Sequence, residues 1–304
     1  MSCNISRLLV TNALYIGWVG LFWSPSLHQD IITVAYLGPL WSYSYQSALT
    51  KFGPNVKYDA QSSISMVFDA VHKRKAVYGI VPFENSTYGS VQETLDAFLA
   101  LPVESPLVVC SEIAFAIHHS LLSTSALSEI KKVYSHPQAL GQCAKWLHTN
   151  LPHVEQVGVS STSAAAEMAK NEPGAAAICS AACAELYNLN IIDRNIEDLL
   201  NNTTRFFVLG NSIDPPNHSN RTLLYFTVDP LKRCAISDVM DTLKRHHIEI
   251  RRINSMPSGE HLWHYIYFIE MDGHVHDVNM KDAFLDLSSL CQSIRVVGSF
   301  HAQR

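Results

Sequence analysis

Between Thr33 and Asn211 the chain repeats one pattern: a short apolar run, a hydroxyl-rich break, then a helical stretch. Apolar runs start at Thr33, Val77, Val133 and Val154, and the breaks after them are Ser42 to Ser44, Glu84 to Thr87, Ser135-His136 and Ser160 to Ser163. Strand followed by helix, again and again, builds open and mostly parallel sheets with helices on their faces. Ligands in such sheets gather at the carboxyl ends of the strands, where all of these breaks fall. Each break also precedes a helix N-terminus, whose free N–H groups favour an anion. Taken singly, the serines are helix caps, with Ser44 opening one helix. Ser90 with Glu93, and Ser135 with Gln138, have capping-box spacing. Taken together, they outline a pocket for a small multi-anionic molecule. No G-x-G-x-x-G and no phosphate loop occurs, so a nucleotide is not implied.

The pattern changes after Pro215-Pro216. Thr222 to Val228 alternates as a strand, Ala235 to His246 is an amphipathic helix, and Ile248 to Asn254 and Trp263 to Glu270 are strands. A helix over Val278 to Leu290 and a strand over Ser293 to Val297 complete a βαββαβ order, that of a ferredoxin-like unit. The expected division is an extension over 1–32, an α/β domain over 33–212, a linker over 213–220 and the ferredoxin-like domain over 221–302.

A length of 304 residues suits two domains, and 47% hydrophobic with 16% charged residues gives ample core. A net charge of -5 leaves no basic footprint for nucleic acid. The seven cysteines are odd in number and form no C-x-x-C pair, which points to a reducing compartment. Cys179 and Cys183 are expected as small buried residues. His261 and His264 stand three apart in a strand and face opposite sides, so no metal site is expected. Leu8 to Trp23 is an apolar run behind Arg7, short for a membrane span and open to reading as a signal segment or a mobile extension. Against secretion, Asn85-Ser86-Thr87 and Asn202-Thr203-Thr204 are glycosylation acceptors in form, and both lie in candidate site motifs. A cytoplasmic location is expected.

Asn202-Thr203-Thr204-Arg205-Phe206 places a carboxamide, hydroxyls and a guanidinium at the mouth of a strand. Arg205 is the strongest internal candidate for gripping a carboxylate, because a guanidinium fork matches it bidentately. Three further motifs precede it: Gly38-Pro39-Leu40-Trp41-Ser42-Tyr43-Ser44, the run from Val81-Pro82-Phe83-Glu84-Asn85-Ser86 to Thr94-Leu95-Asp96, and Ser135-His136-Pro137-Gln138-Ala139-Leu140 with Gln142-Cys143.

With these four motifs in order, the chain resembles prephenate dehydratase, the cofactor-free enzyme of phenylalanine synthesis, followed by an ACT domain, over about Thr33 to Phe300. The resemblance implies a catalytic domain of two α/β subdomains, like a type 2 periplasmic binding protein, with the site in the cleft between them. It implies Thr204 as the essential threonine, with Asn202 and Arg205 beside it in catalysis. Ser44, Glu84, Asn85, Ser86, Ser135, His136 and Phe206 become substrate-binding positions. The implied partners are prephenate, L-phenylalanine as an effector, and further copies of the chain in a homodimer or homotetramer; no cofactor and no metal are implied. No chorismate mutase helix precedes the dehydratase region, so a monofunctional enzyme of the fungal kind is expected.

The chain departs from the family pattern at Trp41, where a tight-turn glycine is usual, and at Tyr45, where histidine is frequent. The phenylalanine-interface motifs fall on Cys234-Ala235-Ile236 and on Asn254-Ser255-Met256-Pro257, both altered, which leaves regulation by phenylalanine open. Two other functions stay open beside prephenate dehydration: arogenate dehydration, and amino-acid sensing without catalysis.

Overall fold

A computed structural model describes residues 31–259 and 261–303. The apolar run from Leu8 to Trp23 lies outside the described residues. The first lobe contains strands β1 (Thr33–Leu37), β2 (Lys57–Gln61), β3 (Tyr78–Asn85), the short β4 (Gly89–Ser90) and β5 (Val108–Ala116). Its helices are α1 (Tyr43–Phe52), α2 (Ile64–His72) and α3 (Gln92–Leu99). The second lobe holds β6 (Ser120–Ser123), β7 (Lys132–Ser135), β8 (Glu155–Gly158), β9 (Ala175–Cys179) and β10 (Asn190–Arg194). Around them lie α4 (Pro137–Gln142), α5 (Ala144–Asn150), α6 (Thr162–Ala169) and α7 (Cys183–Tyr187). The chain then returns to the first lobe as β11 (Thr203–Gly210). The ferredoxin-like unit follows as β12 (Asn220–Thr227), α8 (Ala235–Arg245), β13 (Ile250–Pro257), β14 (Tyr265–Asp272), α9 (Val278–Leu290) and β15 (Ser293–His301).

The expected α/β class, with two subdomains and a βαββαβ unit, is what the strands form. The second lobe is a five-stranded sheet in the order β10-β6-β9-β7-β8. The first lobe and the ferredoxin-like unit share a ten-stranded sheet, β13-β14-β12-β15-β5-β11-β3-β1-β2, with β4 beside β3. The junction is the parallel pairing of β15 with β5, where Gly298 faces Val109. A Cβ on Gly298 would lie 2.3 Å from the Val109 carbonyl oxygen, so only glycine permits this approach. Behind the junction one apolar cluster joins Phe83 and Phe207 of the first lobe to Phe268 and Phe300 of the ferredoxin-like unit. Segment 213–220 therefore links two units whose sheet and core are continuous.

The sheets are more mixed than the βα repeat suggests. β11 runs antiparallel to both β3 and β5, and β6 runs antiparallel to both β9 and β10. Strands β2, β6 and β10 carry no clear apolar alternation and are absent from the sequence-based expectation. The caps also move. Ser42, not Ser44, caps α1, its Oγ accepting from the Tyr45 amide at 3.3 Å. His136, not Ser135, caps α4, and α3 starts at Val91 without a side-chain cap.

Two crossovers connect the lobes, Ile117 to His119 outward and Asn195 to Asn202 on return. They are tied to each other, with the Ile117 amide donating to Asn202 O at 2.9 Å and the Ile196 amide to His119 O at 3.0 Å. The segment 40–46, a turn running into α1, reaches across as well. Ser163 Oγ donates to Leu40 O at 2.7 Å, and Ser180 Oγ to Gln46 Oε1 at 3.0 Å. Among the described residues no helix is long and apolar enough to cross a membrane.

Candidate active site

A cleft of about 890 Å³ lies between the lobes, within the usual range for small-molecule sites. Helices α1, α2, α3 and α6 all begin on it, presenting Ser42 to Ser44, Ser63 to Ser65, Val91 to Glu93, and Ser161 to Thr162. The caps Ser63 and Ser161 accept from the third helical amide at 3.3 and 3.0 Å. Earlier amides of those first turns have no intrahelical partner, which suits an anionic ligand. Among the described residues no lysine or arginine lines the cleft; its titratable groups are Tyr43, Glu93, Asp96, His119 and His136.

On strand β11, Thr204 and Phe206 face the cleft. Beside Thr204 stands Asn85 at the end of β3. Asn85 Oδ1 accepts from the amides of Thr87 and Tyr88 at 2.9 and 3.1 Å, which fixes its carboxamide. Its Nδ2 then donates to Thr204 Oγ1 at 3.0 Å and to Asn202 Oδ1 at 2.8 Å. Thr204 thus accepts a hydrogen bond on the inside and keeps its own proton for a ligand in the cleft. His136 also lines the cleft. Its Nδ1 accepts from the Gln138 amide at 3.3 Å, leaving Nε2 as the donor. Burial holds the His136 pKa below the usual imidazole range, partly offset by Glu93, so the ring is neutral near pH 7.

The expected carboxylate clamp is a correction. Arg205 alternates to the far face of β11, away from the cleft. Its guanidinium is held by Glu84 at 3.0 Å, by Glu112 at 2.5 Å and by Glu270 of the ferredoxin-like unit at 2.7 Å. Burial works against its charge, but Glu270 and Glu112 outweigh burial and push its pKa up. Glu84 is likewise withdrawn from substrate binding. A β-bulge at Phe83 sets Glu84 opposite Arg205 while Pro82 sits opposite Phe206. Glu84 thereby joins the far face, where it also accepts from Arg252 Nε at 3.0 Å.

Three other expected residues lie off the cleft. Ser135 is fully buried and donates to Ile178 O at 2.6 Å. Ser86 is exposed and accepts from the Thr203 amide at 3.0 Å. Asn202 is buried and reaches Thr204 only through Asn85; its Nδ2 has no hydrogen-bond partner among the described residues. Ser44, Asn85, His136, Phe206 and Thr204 line the cleft.

Residue chemistry alone did not single out Tyr43, His119 or Gln142. All three line the cleft and are joined to one another. Tyr43 Oη lies 2.9 Å from His119 Nδ1, and His119 Nε2 lies 2.7 Å from Gln142 Oε1. The available signal was His118-His119, a polar pair placed directly after a buried apolar strand.

The candidate regulatory residues divide. Cys234, Ala235 and Ile236 line a smaller hollow of about 450 Å³ together with Trp263, His264 and Tyr267. On β13, Asn254 and Met256 instead face the first lobe. Asn254 Nδ2 donates to Ser90 Oγ at 3.1 Å, and Gln92 Nε2 approaches Met256 Sδ at 3.5 Å. Ser255 and Pro257 pair with Tyr267 and Tyr265 of β14.

Residues 34–213 match the family described as prephenate dehydratase. A bifunctional chorismate mutase/prephenate dehydratase of Aquifex aeolicus is 38% identical over 270 residues, covering 88% of this chain and 73% of that protein. A prephenate dehydratase of Amycolatopsis methanolica is 30% identical, covering 88% of each. Among solved structures, prephenate dehydratase from Arthrobacter aurescens in complex with L-Phe superposes with a TM-score of 0.81 at 27% identity, covering 89% of this chain and 90% of that one.

Proposed function

The chain belongs to the prephenate dehydratase family, and on that premise we propose that its cleft converts prephenate to phenylpyruvate, water and carbon dioxide in phenylalanine biosynthesis. One observation carries the reading: Thr204 faces the cleft with its oxygen already engaged by Asn85 and its proton unspent. The substrate dianion takes up one proton overall. The bond to the ring carboxylate breaks and its electron pair enters the ring. The para C–O bond breaks as the ring becomes aromatic, and the departing oxygen leaves as water. Aromatisation drives the step, so the protein's task is to hold the dianion and assist the leaving oxygen.

Thr204 donates to that oxygen, and the bond strengthens as charge develops there, which favours the transition state over the ground state. Asn85 raises the polarity of the Thr204 hydroxyl by donating to it, and Asn202 holds Asn85. His136, neutral with a free Nε2 donor, completes the polar wall. Among the described residues no arginine lines the cleft, and the helix N-termini hold the carboxylates. Weak partial charges suit a carboxylate that must leave as carbon dioxide, since a full cation would hold it back.

A second reading is arogenate dehydration. Glu93 and Asp96 line the cleft, and either can meet the ammonium group that arogenate carries in place of the keto oxygen. We place L-phenylalanine in the hollow around Cys234 to Ile236 as an effector, supported by the L-Phe complex of the Arthrobacter aurescens protein. Assembly as a homodimer or homotetramer is part of the same proposal, as is a cytoplasmic location. The test is the conversion of each substrate by purified protein, with phenylpyruvate read by its absorbance in alkali. A larger kcat/KM for prephenate supports the first reading; a larger value for arogenate moves the protein to the second; turnover of neither overturns both.

A further inference from the structure

We infer that His119 is a positioning residue for the reaction: from the hinge it locks the Gln142 carboxamide so that its N–H groups face the cleft beside Asn85 and Thr204. The inference rests on prephenate dehydration being the activity of this cleft. His119 sits in the outward crossover, 1% exposed. Its contacts span the molecule: Tyr43 on α1 of the first lobe, Gln142 at the end of α4 in the second, and Glu197 in the return crossover, whose Oε2 accepts from the His119 amide at 2.8 Å.

Hydrogen-bond accounting fixes the orientation of each group. Asn85 Oδ1 already accepts from two backbone amides, so only a donor can approach it. The Gln142 atom 3.5 Å away is therefore Nε2. Gln142 Oε1 then faces His119, which must carry its proton on Nε2. Nδ1 is left as an acceptor facing the Tyr43 hydroxyl at 2.9 Å, whose one proton it shares with His118 O at 2.8 Å. Burial lowers the His119 pKa, partly offset by the hydrogen bond to Gln142 and the charge of Glu197, in keeping with a neutral ring. Without the imidazole N–H, only the 3.5 Å contact to Asn85 Oδ1 opposes a turn of the Gln142 carboxamide that aims its oxygen at a dianionic substrate, where it repels instead of donating.

The test compares kcat and KM for prephenate among His119→Gln, His119→Asn, His119→Leu, Gln142→Leu and the double leucine variant, with a melting temperature for each. Glutamine can bring an N–H to the place of Nε2, whereas asparagine reaches only the place of Nδ1. The expected result is near-wild-type kcat for His119→Gln. His119→Asn and His119→Leu should each lose about 100-fold in kcat at little-changed KM, the usual scale for a misplaced active-site group. His119→Leu should add nothing to Gln142→Leu, because both act on one unit. If the leucine variant does not fold, the glutamine and asparagine pair carries the test. Equal activity in that pair, or losses that multiply in the double variant, overturns the positioning role. A wild-type protein without prephenate turnover overturns the inference together with the activity it rests on.

Discussion

Thr204 and Arg205 are neighbours with opposite fates. One-residue alternation along β11 sends the threonine to the cleft and the arginine to the seam with the ferredoxin-like unit. Glu112 and Glu270 are 2% and 1% exposed at their side chains, so removing the guanidinium takes the nearest cation from Glu112 and leaves Glu270 with Arg221 alone, at 3.0 Å. Arg205→Leu should therefore cost about 3–5 kcal/mol of stability. Denaturant unfolding would show this, while KM for prephenate in the folded fraction stays near wild type. A raised KM with unchanged stability would return Arg205 to substrate binding. The sequence motif identified the right strand. It could not place Glu84, whose direction depends on a bulge at Phe83 that no residue type announces, or Arg205, because only the fold decides which face of β11 meets the cleft.

Trp41 answers differently. Its backbone is left-handed, at φ 63°, the conformation a glycine would adopt without strain. Its ring meets Tyr45 edge-on at 5.3 Å and packs against the second lobe's apolar cluster. The two departures from the family pattern thus touch each other, a pairing that separate positions in a sequence do not reveal.

The histidine pKa values give a pH prediction at the same scale. His119 is held below its unfolded value chiefly by burial. An unfolded chain then binds the proton more readily than the folded one. Stability from this group is complete above the unfolded imidazole pKa, about 6.5. It falls as pH drops from there toward the lower folded pKa. Melting temperature measured from pH 8 to pH 5 should decline, and less so for His119→Gln. Equal declines would remove His119 as the cause.

Elements show where sequence patterns succeed. Helices α8 and α9 and the order of the ferredoxin-like unit were legible, because apolar periodicity sets them. Strand β2 was not: it is an edge strand, KYDAQ, with one neighbour and no buried face to impose alternation. Serine caps were half legible. More than one serine stands at the starts of α1, α2 and α6, and which one reaches the third amide depends on the loop before it. The β15–β5 junction was invisible, since only the fold brings Gly298 to Val109. Gly298→Ala should force those strands apart and cost about 1–3 kcal/mol, the scale of core overpacking. A circular-dichroism melt indistinguishable from wild type would mean the strands do not need so close an approach.

In the whole molecule, the ferredoxin-like unit is wired into the wall of the cleft. Asn254 and Arg252 both donate to Ser90, and Arg252 and Arg205 share Glu84. Ser90 itself lines the cleft. A ligand that moves β13 thus has a path to the start of α3. A phenylalanine titration of the steady-state rate should show inhibition, and Arg252→Ala should blunt it. An unchanged rate at millimolar phenylalanine would mean this chain has lost the response along with the usual form of those motifs. The large exposed side chains Leu231, Leu262 and Trp263 lie on the same unit. Light scattering should return the mass of a dimer or tetramer, and a monomer would remove the assembly proposal.

Every scale converges on the hydroxyl of Thr204, and the kinetics of Thr204→Ala and Thr204→Ser on prephenate test it most directly. Alanine should lower kcat by about 10²–10³, the loss seen when one transition-state donor is removed, with KM little changed. Serine should keep most of the activity. Near-normal turnover by purified, folded Thr204→Ala would contradict the account.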